Sequence, residues 1–283
     1  MKKFIVSLCL LALSVFAFSN EYALMHKGDW ESRTIYRGRV VSLEIWRFQA
    51  PNTVEFRQFI SSDTLKTGTY IISYVQGVPY LTFHWETGAS QRYLMLFNGN
   101  FMILYSGADT APAWFLRNIP ESFDPGASFD RMQSITASST LTEGNIQHSA
   151  TPERLGWSIN QGWAVEGGVG ERLSIRLNVQ NAGAIFISSG YIDYSRSYLF
   201  REYSRPKRIR ITTHMPGGFL IDEQSFEVEL QDTPNFQRIQ LWRDFSRGWG
   251  GGNMQVEIEI LETYPGTRSN TMFINSILGI MTQ

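Results

Sequence analysis

From residue 30 onward, apolar and polar positions alternate with a period of two, the spacing of a strand with one face buried. Residues 40–48 read VVSLEIWRF and residues 54–60 read VEFRQFI. Similar short runs rich in Val, Ile, Tyr, Phe and Trp follow at 70–75, 80–85, 93–97 and 101–105. Asn98-Gly99, set between LMLF and FMILY, is the strongest hairpin signal, and Gln76-Gly77 and Thr87-Gly88 mark further turns. Strands about ten residues apart with tight turns predict an antiparallel meander. With so few helical signals the meander must curl on itself to bury a face, as a small barrel or curled sheet.

The second half keeps the alternation at 173–177, 185–187, 209–211, 226–230, 239–241 and 256–261, which predicts sandwich strands with one buried face. Gly167, Gly168 and Gly170 allow a tight turn before the first of these, and Tyr264-Pro265-Gly266-Thr267 reads as a Pro-Gly turn after the last. Between the halves, two prolines and scattered acids break the pattern. The chain is therefore all-β, with a small barrel-like domain at 20–118, a linker at 119–134 and a β-sandwich at 135–283. Limited proteolysis is expected to cut between about Pro112 and Ser138 and leave two folded pieces.

Residues 1–19 read as a cleaved signal peptide. Lys2 and Lys3 precede an apolar run too short to span a bilayer comfortably, and Ala17 and Ser19 place small residues where a signal peptidase reads. A retained anchor is the alternative, and lipidation at Cys9 is disfavoured because too little apolar sequence precedes it. Removing this segment takes two lysines and no acid from a chain of net charge −1, leaving about −3, and it takes the only cysteine. The expected location is the periplasm or the exterior. No later run approaches a transmembrane helix, and no disulfide, thiolate metal site or cysteine nucleophile remains.

Composition narrows the function further. Hydrophobic residues at 43% and charged residues at 18% exclude a mostly disordered chain, and the even charge balance argues against nucleic-acid binding. His26, His84, His148 and His214 do not have the spacing of a metal set, and no Gly-x-Ser-x-Gly elbow or phosphate loop is present. Glu257 and Glu259 share a strand face but read as solvated acids. No catalytic residues, metal or cofactor are expected. What remains is an aromatic and basic cluster of Tyr191, Tyr194, Arg196, Tyr198, Arg201, Tyr203 and Arg205, joined by Trp163 and by Trp249 in the GWGGGN loop. Aromatic rings stack on the C–H faces of sugars, and guanidinium groups hydrogen-bond their hydroxyls or pair with their carboxylates. The alternative is a packed sheet face in which arginine stems cover aromatic surface.

Two resemblances sharpen this. Residues 28–114, with Gly28-Asp29-Trp30 and YLTFHWETGASQRYLMLFNGNFMILY, resemble a small lipocalin-like barrel, which implies that Trp30 plugs the barrel base. Residues 133–283 resemble the NADase-type glycan-binding domain, the translocation domain of bacterial NAD glycohydrolases, through four ordered features. These are residues 163–171, Gly190-Tyr191, Arg205 with Lys207, and residues 264–267. The resemblance implies a discoidin-like (coagulation factor 5/8 type C), galactose-binding-type sandwich. The chain departs from that family at Ser189, at Tyr203-Ser204, near Trp157 and at Ser276, and the acids of a calcium site are missing. The implied function is a non-catalytic carbohydrate-binding or adhesion-type protein. Its implied partners are a glycan and an envelope or host-surface protein. The rivals are an enzyme accessory or degenerate NAD glycohydrolase-associated protein, and a protein-docking scaffold.

Overall fold

The computed structural model describes residues 25–36, 39–59, 64–99, 101–107, 112–117, 132–156, 159–178, 182–214, 223–241 and 253–281. These residues are almost entirely β, with two one-turn helices at Pro152–Leu155 and Leu199–Glu202. Among them no helix is long and apolar enough to cross a membrane. The segment read as a signal peptide, Trp157 and Trp249 lie outside the described residues.

The first half closes into an antiparallel barrel in chain order. Its strands are β1 (Asp29–Tyr36), β2 (Arg39–Gln49), β3 (Thr53–Phe59), β4 (Thr64–Val75), β5 (Val78–Trp85), β6 (Ser90–Asn98), β7 (Phe101–Tyr105) and β8 (Ala113–Arg117). Closure comes from Trp30 pairing with Arg117 and Glu31 with Leu116. Gln76 and Gly77 both have positive φ, 55° and 88°, so the β4–β5 hairpin turns as the sequence expects. The Asn98-Gly99 hairpin forms one residue out of step: Asn98 pairs with Phe101 and is the last ladder residue of β6.

Alternate side chains fill the barrel. Trp46, Phe48, Phe56, Tyr70, Phe83, Trp85, Phe97 and Phe115 form one aromatic core, with the Trp46 ring 4.5 Å from Phe83 and 5.0 Å from Phe56. Trp30 is fully buried at the base, where its indole donates to the Met25 carbonyl at 3.1 Å and Arg117 lies over its ring. A barrel this small is packed by its own side chains along most of its length.

The second half is a sandwich. One sheet orders β12 (Trp163–Val165), β19 (Met272–Met281), β14 (Ala182–Ser189) and β17 (Gln237–Gln240). The other orders β16 (Glu223–Glu229), β15 (Arg205–His214), β18 (Asn253–Tyr264), β13 (Arg172–Asn178) and β9 (Met132–Ala137), and a two-residue hairpin pairs β10 (Thr142–Glu143) with β11 (Ile146–Gln147). Ile175, Ile211, Val256 and Ile258 of the five-stranded sheet meet Ile185, Ile187 and Ile274 of the four-stranded sheet in a single core. β9 begins at Met132, inside the stretch whose prolines and acids interrupt the strand pattern.

A third core joins the two halves. The outer faces of β5–β7 contribute Val78, Tyr80, Leu94, Leu96, Phe101 and Ile103, the back of the four-stranded sheet contributes Ala184, Phe186 and Leu278, and the loop before β17 contributes Phe236. Phe101 packs against Phe186 and Phe236, with centroids 5.0 and 5.2 Å away. Asn98 Nδ2 donates to the Phe236 carbonyl at 2.9 Å, and the Phe97 N–H donates to Asn235 Oδ1 at 3.1 Å. The four-stranded sheet is thus buried on both faces, between the barrel wall and the five-stranded sheet. Strands buried on both faces read as unbroken apolar runs, as LMLF and FMILY do.

Candidate functional site at the sandwich end

The chain leaves β14 through Gly190, whose φ of +89° suits glycine and whose added Cβ would lie 2.6 Å from the Phe200 ring. This turn throws residues 191–204 across one end of the sandwich, where the sequence-predicted cluster separates into three groups.

The first group is structural. Trp163 is fully buried in the sandwich core and its indole donates to the Ser139 carbonyl at 2.9 Å. It cannot meet a ligand, because no face of it reaches solvent. Arg205, only 4% exposed, is held by Asp232 at 2.7 Å and donates to the carbonyls of Phe200 and Tyr203 at 2.8 and 2.7 Å. Its guanidinium is fully used in tying the Leu199–Glu202 helix to the following strand.

The second group joins the halves. Tyr194 donates from its hydroxyl to the Arg92 carbonyl at 3.1 Å, and its own carbonyl accepts from the Tyr80 hydroxyl at 2.9 Å. Arg92 in turn lies 3.9 Å from the Tyr80 ring centroid. Arg201 pairs with Asp232, and its guanidinium packs so close to Gly77 of the barrel that a Cβ there would lie 2.8 Å from it. Tyr194 thus has both its hydroxyl and its carbonyl engaged across the join, while Arg201 is held by Asp232 within its own half and packs its guanidinium against the barrel at Gly77.

The third group remains at the surface. Tyr191 stacks on buried Phe273 at 4.6 Å and an interplanar angle of 8°, while Tyr203 meets both rings edge-on at 5.6 and 4.9 Å. Tyr191 and Tyr203 are both partly exposed. Burial pushes both phenols above their ordinary value, so both are hydroxyl donors across the physiological range. Arg196 is exposed and aimed by Asp193, a buried carboxylate whose Oδ2 accepts from Nε and Nη2 at 2.9 and 2.7 Å. The other Asp193 oxygen accepts from the N–H groups of Ser195 and Arg196, which fixes the loop. Glu143, Glu202 and Arg268 supply further charge around Tyr203.

Behind this patch lies His148, which sequence spacing gave no reason to include. It is 3% exposed, its ring is 5.2 Å from Phe273, and its Nε2 is 3.5 Å from Glu143 Oε2. Burial holds it below its ordinary value, with Arg154 adding to that effect and Glu143 opposing it. The imidazole is therefore neutral at pH 7.

The outer face of the five-stranded sheet is a different surface. Arg172 pairs with Glu257 and Glu259, and Arg210 with Glu259 and Glu227, along a shallow groove of about 380 Å³ that also carries Thr212 and His214. Glu257 and Glu259 share this face as the sequence predicts, but both are ion-paired, and Glu259, between Arg172 and Arg210, is only 17% exposed rather than solvated. Among the described residues, no three His, Cys, Asp or Glu side chains are placed to hold a metal ion.

No family model matches the chain, and no curated protein matches it. Among solved structures it is similar to a chain described under "Structural basis for the promiscuous specificity of the carbohydrate-binding modules from the beta-sandwich super family". The identity is 13%, and the likeness covers 85% of this chain and 98% of that one at a TM-score of 0.28. At that TM-score the likeness carries no argument. The NADase-type resemblance therefore rests on the residues quoted for it.

Proposed function

We propose that this chain is an exported, non-catalytic carbohydrate-binding protein that meets its glycan at the sandwich end, through Tyr191, Tyr203 and Arg196. The observation that carries this reading is the pairing of two partly exposed tyrosine rings with a guanidinium held in place by buried Asp193. A sugar presents an apolar ring face and a fringe of hydroxyls. The tyrosines offer the stacking surface and Arg196 the planar donors, already oriented, so little side-chain entropy is lost on binding. The order of Gly190-Tyr191, Arg205 with Lys207, and the 264–267 turn adds the NADase-type resemblance to this chemistry. A glycan array probed with the mature chain tests the reading. Retention of a defined set of glycans supports it, and a blank array removes it.

A further inference from the structure

Tyr191, Tyr203 and Arg196 offer a sugar rings and donors, but no strong acceptor. A sugar hydroxyl donates as well as accepts, and an ionised carboxylate is the strongest acceptor a side chain supplies. Three carboxylates lie around the patch. Asp193 spends one oxygen on the Arg196 guanidinium and the other on the N–H groups of Ser195 and Arg196. Glu202 pairs with Arg268 at 3.4 Å. Glu143 is exposed and acts electrostatically on both tyrosines. Among the described residues it makes no ion pair with an arginine or a lysine; its partner is His148, at 3.5 Å.

His148 sits where it can decide what Glu143 does. Its ring is buried behind the tyrosines, edge-on to Tyr191 at 6.4 Å and to Phe273 at 5.2 Å. The titratable and charged groups around it are Glu143 of the β10–β11 hairpin, Arg154 of the Pro152–Leu155 helix and Tyr191 of the turn after β14. β19 meets it with the Phe273 ring, and β12 with the Ala164 N–H, which donates to the His148 carbonyl at 3.2 Å. Neutral, the imidazole makes little demand on Glu143, and 3.5 Å is longer than a charge-assisted hydrogen bond. Protonated, it is a buried cation with one carboxylate in reach, and leaving such a charge unpaired is costly. Residues 142–147 of the hairpin are all exposed, so the Glu143 side chain can turn inward without disturbing a core.

We propose that Glu143 is a further glycan contact of the sandwich end and that the charge on His148 switches it, so that acidification releases the glycan. At neutral pH the Glu143 carboxylate accepts from a sugar hydroxyl beside the Tyr191 and Tyr203 rings. Once His148 gains a proton, the carboxylate closes on the imidazolium and its oxygens are lost to the sugar. Burial holds the imidazole below its ordinary value, so this loss lies beneath about pH 6.5. The coupling is reciprocal: a glycan that engages Glu143 makes His148 harder to protonate. The switch rests on the reading of the sandwich end as the glycan surface, and it adds to that reading a residue and a pH dependence.

The test is a printed array of neutral, sialylated and uronate-bearing oligosaccharides, probed at pH 7.5 and pH 5.0 with the mature chain, Glu143→Gln and His148→Gln. Near-ultraviolet circular dichroism at pH 5.0 verifies that each protein is folded. The wild type is expected to hold its glycans several-fold more weakly at pH 5.0. Glu143→Gln is expected to hold them weakly at both values, and His148→Gln to show no fall. Glu143 is exposed, so its variant keeps the fold. A proton NMR titration of the His148 ring needs no glycan. Its midpoint is expected at lower pH in Glu143→Gln, because the carboxylate that favours the charged ring is gone. Glycans held equally at both pH values, or an equal fall in wild type and His148→Gln, overturn the switch and leave the glycan surface standing. An unmoved His148 midpoint in Glu143→Gln overturns it in the same way. A blank array at both pH values removes the glycan surface itself, and the switch with it.

Discussion

Tyr80 and Tyr194 lock the two halves together: the Tyr80 hydroxyl donates to the Tyr194 carbonyl at 2.9 Å, and their rings meet nearly edge-on at 6.3 Å. The Tyr194 hydroxyl then donates to the barrel backbone at Arg92. A residue that reads as a sugar contact is therefore a fastener. Tyr194→Phe keeps the ring and removes one hydrogen bond, which contributes about 0.5–1.5 kcal/mol. The expected result is a Tm lower by about 2–4 °C, measured calorimetrically, with ligand binding unchanged. Loss of binding with unchanged Tm would restore Tyr194 to the site.

The shared core changes what proteolysis should yield. Phe101, Phe186 and Phe236 bury apolar surface that neither half covers alone. A protease that cuts between residues 117 and 132 should give two fragments that co-elute on gel filtration. They should separate only in denaturant. Phe186→Ala, which opens a cavity in that core, should cost about 3–5 kcal/mol. Fragments that part in plain buffer would show that the join is weak.

The legibility of this chain follows from how many faces each element buries. β2 and β3 bury one face, alternate cleanly, and stand in the sequence almost to the residue. β1 and β8 are short of such a signal: Asp29–Tyr36 has no separate apolar run of its own, and the second is only Ala113–Arg117. β19 is central in the four-stranded sheet, and its run MFINSILGIM shows no clean period because both of its faces are covered. The all-β class, the barrel and the sandwich were thus readable. The join was foreshadowed only by unbroken apolar runs in β6 and β7. The site was half readable. Aromatic and arginine residues crowd 191–205 in the sequence, but composition does not say which side each one faces. Asp232, about 30 residues away, draws Arg201 and Arg205 out of the cluster. His148 and Phe273 enter it from distant segments with no local signature.

Stability should depend on pH through His148. Burial lowers its folded-state value relative to an ordinary unfolded value near 6.5. Below that value the unfolded chain binds a proton that the folded chain resists, so stability is full above about pH 6.5 and is lost as pH falls beneath it. The Tm of the wild type should fall between pH 7.5 and pH 5 by more than that of His148→Leu, since the leucine variant lacks this group. Equal losses in the two proteins would show that His148 does not contribute.

The sandwich end, not the join, is the proposed glycan surface. The most direct measurement is a glycan-array profile of the wild type beside Tyr203→Leu and Tyr194→Phe, with Tm recorded for each. Tyr203→Leu keeps an apolar group against Phe273 while removing the ring and hydroxyl from the surface. The wild type and Tyr194→Phe are expected to retain the same glycans, and Tyr203→Leu to lose them while still melting cooperatively. Full retention by Tyr203→Leu, or loss in Tyr194→Phe alone, would contradict it.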